Sequence, residues 1–284
     1  MSMLTFEQFQ DELSAKCRLF AETQGGISVV EQQVNKLNAS YPSITMMREG
    51  RDMGVCFNLN DLYGMYICDH DLEKVFFYVK THMDDEIKGL ERNAFLDYEQ
   101  VRDLLFIRVS NAAANAYLLS SAPHRIIEEF AITYHVMVQN DADTLGSALI
   151  TWQLMETYGI EEEQLYQDAM RSAQKLFAPD VLKYNGPYGW SMFMVTNQKQ
   201  LNGASVMFYP GFAEKLLESV GEDMYVIPSS IHEMMIFPAS LYEDAAYLKE
   251  VLHDANRDCC MPGEVLSENV YFLSSIDRTL RRLC

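Results

Sequence analysis

The chain has 284 residues, of which 49% are hydrophobic, and 22 Lys and Arg against 41 Asp and Glu give it a formal net charge of −19. This length and apolar content allow a large buried core, which excludes disorder as the default state. The acidic residues are spread along the whole chain. Because they repel nucleic-acid phosphates and anionic lipid head groups, we expect neither a nucleic acid nor a membrane as a partner.

The sequence contains no membrane or export signal. No stretch reaches the roughly 18 to 20 apolar residues that a membrane-spanning helix requires. The first ten residues lack the basic segment and apolar core of a secretory signal, which predicts a cytoplasmic location. The six cysteines have neither zinc-ligand spacing nor the density of a disulfide framework, and we expect most of them to be reduced core residues.

The N-terminal part predicts a helix, a β-meander and a second helix. The predicted elements are a helix that begins after Thr5 and ends at Gly25, strands at residues 27–36, 43–48 and 55–59, and a helix at 71–83. Thr5 and Gln8 form the pattern of a capping box, and Asp69 or Asp71 is the N-cap of the second helix. The polar stretch 93–97 is the best candidate boundary. We therefore predict an N-terminal lobe, residues 1–96, and a C-terminal α+β lobe, residues 97–284, packed together as one unit.

The middle of the chain mixes strand and helix signals. The predicted elements are a strand or helix end at 104–109, a helix at 111–120, a turn at Pro123-His124-Arg125, a hairpin of strands 130–138 and 146–152 around an acidic turn at 140–143, and a helix at 161–176. The last of these has the strongest helical periodicity, and Pro179 follows it closely.

The last hundred residues predict the order ββαββα. The elements are strands at 191–196 and 204–209, a helix at 211–219, strands at 224–227 and 231–237, and a helix at 242–255. Asn202-Gly203 before the second strand is a hairpin-turn signal. Hairpins that alternate with helices favour antiparallel sheets with helices packed on them, so the predicted fold class is α+β.

The run 225–238 is the most informative part of the sequence, because two apolar segments flank the polar residues Ser229, Ser230, His232 and Glu233. A hydroxyl, an imidazole and a carboxylate in contact can perform acyl transfer. If His232 and Glu233 share a strand, however, their side chains point to opposite faces. We therefore interpret Pro228-Ser229-Ser230 as a hairpin turn whose hydroxyls bind backbone amides.

No other motif predicts a metal or cofactor. His232-Glu233 lacks the second histidine of a zinc-protease helix. Residues 68–71 contain metal-ligand types but are better explained as helix capping, and Asp141 and Asp143 lack the glycine and glutamate of an EF-hand loop. The glycine-bearing loops at 185–189 and 201–204 have no phosphate-binding pattern. We therefore predict no metal and no cofactor.

Several ordered motifs between residues 106 and 271 carry a family resemblance. They are Pro123-His124-Arg125; Tyr158-Gly159-Ile160 with residues 162–166; Thr196-Asn197; Asn202-Gly203-Ala204; Tyr209-Pro210-Gly211; residues 227–233, Ile-Pro-Ser-Ser-Ile-His-Glu; and residues 262–271, Pro-Gly-Glu-Val-Leu-Ser-Glu-Asn-Val-Tyr. With them the chain resembles a domain-of-unknown-function family of gut Firmicutes (Clostridia). The resemblance implies a bacterial cytoplasmic protein and no particular reaction.

Two functions are consistent with the sequence. The first is a non-catalytic interaction or regulatory protein that uses a sheet face or groove for a protein or peptide partner. The second is a hydrolase that uses Ser229 or Ser230 with His232, assisted by Glu233, another carboxylate or His124. The hydrolase requires a seryl hydroxyl within about 3.2 Å of an imidazole nitrogen.

Overall fold

A computed structural model of the chain describes residues 3–50, 54–84, 92–140, 145–186, 191–242, 245–261 and 263–283. The chain divides into two compact units, Met1–Lys88 and Gly89–Cys284. Both contain antiparallel strands with helices packed on them, which confirms the predicted α+β class. Among the described residues, none of the helices has the length and apolar character needed to cross a bilayer.

The first unit has a three-stranded meander covered by helices. Its elements are α1 Phe6–Gln24, β1 Ile27–Lys36, β2 Ala39–Arg48, β3 Val55–Asn58, α2 Leu59–Asp69 and α3 Leu72–His82. The predicted capping box is confirmed, because Thr5 accepts from the Gln8 amide while Gln8 binds the Thr5 amide. Asp71 is the N-cap of α3. Fully buried Phe9, Leu13 and residues of β2 and α3 form the core. Helix α2 was not predicted.

The second unit contains a four-stranded and a six-stranded sheet. Its elements are α4 Arg92–Phe95, α5 Tyr98–Val101, β4 Leu105–Asn111, α6 Ala116–Leu119, β5 His124–Ile127, β6 Phe130–Asn140, β7 Leu145–Leu149, α7 Trp152–Tyr158, α8 Glu162–Leu176, β8 Pro179–Asn185, β9 Ser191–Asn197, α9 Phe212–Val220, β10 Met224–Ile227, β11 Met234–Pro238, α10 Ala245–Asp258, β12 Tyr271–Leu273 and β13 Leu280–Arg282.

In the four-stranded sheet, β6 pairs with β4, β5 and β7. The six-stranded sheet has the order β13-β12-β10-β11-β9-β8. Apolar side chains of α8 and of both sheets form one core, and α10 packs on β10 with a smaller cluster. The β6–β7 pairing confirms the predicted hairpin, whose turn residues 141–144 lie outside the described residues.

Several predicted elements of the second unit are wrong. Pro123-His124-Arg125 is not a turn, because His124 begins β5 and the turn to β6 falls at Glu128, whose φ is 54°. In the predicted helix 111–120, only α6 is α-helical. Residues 204–209 are not a strand, since Gly203–Phe208 is a 3₁₀ helix. Asn202-Gly203 is therefore not a hairpin turn. The order ββαββα is retained because β8, which was not predicted, takes the place of that strand.

Strand β11 begins at Met234, three residues later than predicted. The amides of Ile231 and His232 bind Glu264 O and Ser230 Oγ instead of a neighbouring strand. His232 and Glu233 therefore lie before the strand, and the prediction that they face opposite sides of it is wrong. The described cysteines are free, as expected, but the expectation that most of them lie in the core is wrong: Cys17 is buried, whereas Cys56, Cys68 and Cys259 are exposed.

Candidate functional site

The loop 228–233 joins β10 to β11 and is held by backbone contacts from distant segments. The Ile231 amide donates to Glu264 O at 2.9 Å, and the Ala204 amide donates to Ile231 O at 3.2 Å. Thr196 Oγ1 donates to His232 O at 2.8 Å. These hydrogen bonds satisfy backbone groups of the loop that would otherwise pair with a neighbouring strand. The polar residues 228–233 therefore form a loop and are not part of β11.

Ser229 and Ser230 are buried and bind backbone groups of their own loop. Ser229 Oγ donates to Glu233 O at 3.3 Å, and Ser230 Oγ accepts from the His232 amide at 3.0 Å. The structure thus places Ser229, Ser230, His232 and Glu233 in one loop. Among the described residues, no hydrogen bond joins the hydroxyl of Ser229 or Ser230 to the imidazole of His232.

His232 binds two partners through its ring nitrogens. Nδ1 accepts from the Asn202 amide at 3.2 Å, and Nε2 lies 3.3 Å from Glu264 Oε1. Because Nδ1 is an acceptor, the neutral ring carries its proton on Nε2 and donates it to the carboxylate. Glu264 Oε2 in turn accepts from the Met261 amide at 2.8 Å. The imidazole therefore connects Asn202 to Glu264.

Gly203 lets the backbone approach this loop closely. A Cβ atom at this position would lie 2.2 Å from Thr196 Oγ1 and 2.5 Å from the His232 carbonyl oxygen. Both distances are shorter than any side chain tolerates, so only glycine fits here.

A cysteine also contacts the loop. Cys260 Sγ donates to Ser229 O at 3.0 Å. Burial raises the pKa of this thiol, and the nearby carboxylates of Glu264 and Glu233 raise it further. A thiol with a raised pKa is a weak nucleophile, so the geometry gives Cys260 the role of a hydrogen-bond donor.

A second polar cluster surrounds Glu129, at the turn between β5 and β6. Its Oε1 accepts from Ser267 Oγ, from Asn269 Nδ2 at 2.9 Å and from the Tyr271 hydroxyl. Partial burial alone would raise the pKa of Glu129, but these three hydrogen bonds and the charge of Arg282 together lower it. The segment 263–271 is therefore held by His232 at one end and by Glu129 at the other.

Neither Glu129 nor Glu264 was predicted as a site residue. Glu264, Ser267, Asn269 and Tyr271 all belong to the run 262–271, which was noticed only as a shared motif. Its density of polar residues beside a short strand was the signal that could have found them. Glu129 carries no such signal in the sequence.

His124 lies in the four-stranded sheet, where it pairs in register with Thr133, and its Nδ1 is 2.8 Å from Ala122 O. Within the described part of the chain, no hydrogen bond joins His124 to the loop 228–233. Its neighbour Arg125 binds Glu163 at 2.5 Å and stacks over Tyr166. The structure thus does not bring His124 together with His232 by direct contact.

The other ligand-type residues have ordinary partners where they are described. Asp71 accepts from the Lys74 amide at 3.2 Å, and Asp69 forms an ion pair with the Lys74 ammonium group. In the described ranges, no group of three or more His, Cys, Asp or Glu side chains could hold a metal ion. Asp141 and Asp143 lie outside those ranges.

A groove of about 460 Å³ lies between β8, β9 and α9. Val181 and Lys183 of β8 line one wall together with Phe193 of β9. The opposite wall is one face of α9, whose lining residues are spaced as on one side of a helix: Phe212, Lys215, Leu216 and Ser219. Gln174 of α8 and the two residues that follow the 3₁₀ helix, Tyr209 and Pro210, complete this wall. The volume of this groove lies within the range that is typical of ligand-binding clefts.

The charges along the groove have one sign. Lys183 and Lys215 line the groove itself, and Arg171 and Lys175 line an adjoining hollow of about 390 Å³ that shares Gln174 and Pro210 with it. Arg171 is paired with Asp168 at 2.6 Å. The three lysines have no carboxylate partner among the described residues. All the charged residues that line the two hollows are thus basic, although acids outnumber bases 41 to 22 in the chain.

These features define an α+β protein with a polar loop that ties together several segments and a separate basic groove at the edge of a sheet. The chain belongs to DUF5688, a family of unknown function, whose model matches residues 6–186 and 183–275. This confirms the predicted membership in a domain-of-unknown-function family. Neither a curated protein nor a solved structure matches the chain.

Proposed function

We propose that this chain is a non-catalytic interaction protein of the bacterial cytoplasm, and that it binds a protein or peptide partner in the groove between β8 and α9. The observation that carries the proposal is the combination of apolar walls with exclusively basic charges in an acidic chain. Apolar clefts with a few placed polar groups are the usual form of a binding site.

The hydrogen bonds of the loop 228–233 support a structural role for it. Both nitrogens of His232 and the hydroxyls of both serines are bonded within the fold. A general base needs a nitrogen that can reach the proton it removes. The groove offers open apolar surface instead, and so it is the better candidate for a functional site.

The test is a pull-down from a lysate of the native host with the wild-type chain and two variants. Ser219→Trp places a large ring at an exposed position that lines the groove. Glu218→Trp is the matched control, since Glu218 is also exposed on α9 but does not line the groove. We expect a stoichiometric partner with the wild type and Glu218→Trp and its loss with Ser219→Trp. Capture that survives Ser219→Trp contradicts the proposal.

The hydrolase alternative is motivated by the Glu264 carboxylate, which contacts the His232 imidazole as the orienting acid of a triad would. Labelling with a fluorophosphonate probe tests it, because such probes phosphonylate activated seryl hydroxyls, with loss of fluoride. If the loop is structural, neither Ser229 nor Ser230 reacts. Labelling of either serine that is lost in His232→Gln would favour the hydrolase.

A further inference from the structure

Strand β8 forms an open edge of the six-stranded sheet. It pairs with β9 on one side, and no other strand in the described part of the chain pairs with its outer side. Val181 and Tyr184 of this strand are 39% and 44% exposed. An exposed edge strand presents unpaired amides and carbonyls, which can bind another extended segment.

The register shows which backbone groups are open. Gln198 N donates to Ala178 O at 3.0 Å, next to the ladder that pairs Asp180 with Thr196 and Leu182 with Met194. In an antiparallel pair the bonded residues alternate. The amides and carbonyls of Asp180 and Leu182 therefore face β9, whereas those of Val181 and Lys183 face outward.

The groove lies on the same face of the sheet as the side chains of Val181 and Lys183. A strand added beside β8 would place every second side chain on that face. These side chains would enter the space between β8 and α9, where they meet apolar Phe193 and Leu216. The open backbone edge and the groove can thus be used by the same segment.

The lysines that line the groove indicate which side chains an added segment should carry. Lys183 and Lys215 project from opposite walls of the groove, and Lys175 lines the adjoining hollow. Attraction to such a basic lining favours acidic side chains and disfavours basic ones. Alternate apolar and acidic side chains on the groove face would satisfy both the walls and the lysines.

We propose that β8 binds an extended acidic segment of a partner protein as an added strand, with alternate side chains of that segment in the groove. The proposal rests on the function proposed above and specifies its ligand. Backbone hydrogen bonds to Val181 and Lys183 supply sequence-independent binding, and the groove supplies the preference for apolar and acidic side chains.

The test uses a fluorescently labelled peptide that has threonine at every second position. The remaining positions, whose side chains would face the groove, alternate between valine and glutamate. Fluorescence anisotropy measures its binding to the full chain. A matched peptide carries lysine in place of glutamate. Two further versions are N-methylated at alternate amides, one in each register. Only one of the two sets of amides can face β8 in an added strand.

We expect the acidic peptide to bind and the lysine peptide to bind about tenfold more weakly, because attraction to the lysines becomes repulsion. One N-methylated version should lose binding while the other retains it. On the protein, Val181→Pro removes an outward amide without removing a bond to β9 and should abolish binding, whereas Val181→Thr should retain it.

Absence of binding at about 1 mM peptide, or equal effects of the two N-methylation patterns, overturns strand addition. Equal binding of the acidic and lysine peptides overturns the charge preference. In each of these cases, a partner that is captured by the wild type and lost with Ser219→Trp would leave the groove as the binding site. Failure of the peptide proposal is thus distinguishable from failure of the proposed function.

Discussion

Replacement of Glu129 by alanine should destabilise the second unit, because one carboxylate oxygen accepts hydrogen bonds from Ser267, Asn269 and Tyr271. Tyr271 is 0% and Ser267 2% exposed. A buried donor that loses its acceptor costs about 1–3 kcal/mol. Asn269 is half-buried and can turn to water, and Ser267 has a second acceptor at Asn269 O, 3.5 Å away. We therefore expect a loss of about 2–4 kcal/mol in unfolding free energy, mostly from Tyr271.

The assay is urea denaturation followed by tryptophan fluorescence. Both tryptophans, Trp152 and Trp190, lie in the second unit, so the signal reports its unfolding. Glu268→Ala is the matched control, since Glu268 is an exposed acid between two of the residues that bind Glu129. The control should change stability by less than about 0.5 kcal/mol. If Glu129→Ala costs no more than Glu268→Ala, the carboxylate does not hold the segment 263–271.

Three further predictions concern the same unit and a contrasting helix. Hydrogen bonding lowers the pKa of Glu129 below its ordinary 4.5. The ionised carboxylate therefore stabilises the folded state fully above that pH, and this stabilisation is lost as the pH falls through the lower pKa of the folded state. Urea titrations between neutral and acid pH should show a smaller loss of unfolding free energy in Glu129→Gln than in the wild type. Gly203→Ala should lower the unfolding free energy by about 2–3 kcal/mol, because the new Cβ meets the His232 carbonyl. Gly64→Ala in α2, where a Cβ meets open space, should raise it by about 0.5–1 kcal/mol. Thermal unfolding followed by circular dichroism should show a lower melting temperature for the first variant and a higher one for the second. His232→Ala should cost about 1–3 kcal/mol by leaving the Asn202 amide and Glu264 without their shared partner, and the same change should weaken binding of the acidic peptide in the anisotropy assay.

The elements predicted correctly are those whose signals are local. Helices α1, α3 and α8 have apolar residues at helical spacing, and Thr5 and Asp71 cap the first two through their own side chains. The meander and the β6–β7 hairpin follow from β-rich runs that are near one another in sequence. In these cases the partners that satisfy the backbone lie within or beside the element itself.

The wrong predictions fall where distant residues decide the backbone. Residues 203–207 are all buried, so their apolar positions carry no two-residue alternation that distinguishes a strand from a 3₁₀ helix. The amides of Ala204 and Ile231 bind residues that are separated from them by 27 and 33 positions. Competition from such long-range partners removed the predicted strand 204–209 and shortened β11.

The candidate site was only partly predictable for the same reason. Ser229, Ser230, His232 and Glu233 are neighbours in sequence and share one loop, but the partner of His232 is Glu264, 32 residues away. The groove combines residues of α8, β8, β9 and α9. No short motif can report a surface assembled from four elements, and β8 itself carried no clear strand signal.

The polar loop and the groove are connected through the 3₁₀ helix Gly203–Phe208. Asn202, just before this helix, donates its amide to the imidazole of His232, and Ala204 in the first turn donates its amide to Ile231 O. Just beyond its end, Tyr209 lines the groove, and its hydroxyl donates to Phe177 O at 3.3 Å. The 3₁₀ helix thus contacts the loop at one end and leads into the groove at the other, and such a chain of contacts needs a coupling measurement before it counts as a pathway. If the imidazole holds this segment in place, His232→Ala shifts Tyr209 at the wall of the groove and weakens binding of the acidic peptide; unchanged peptide binding by a folded His232→Ala variant would show that the loop and the groove are independent.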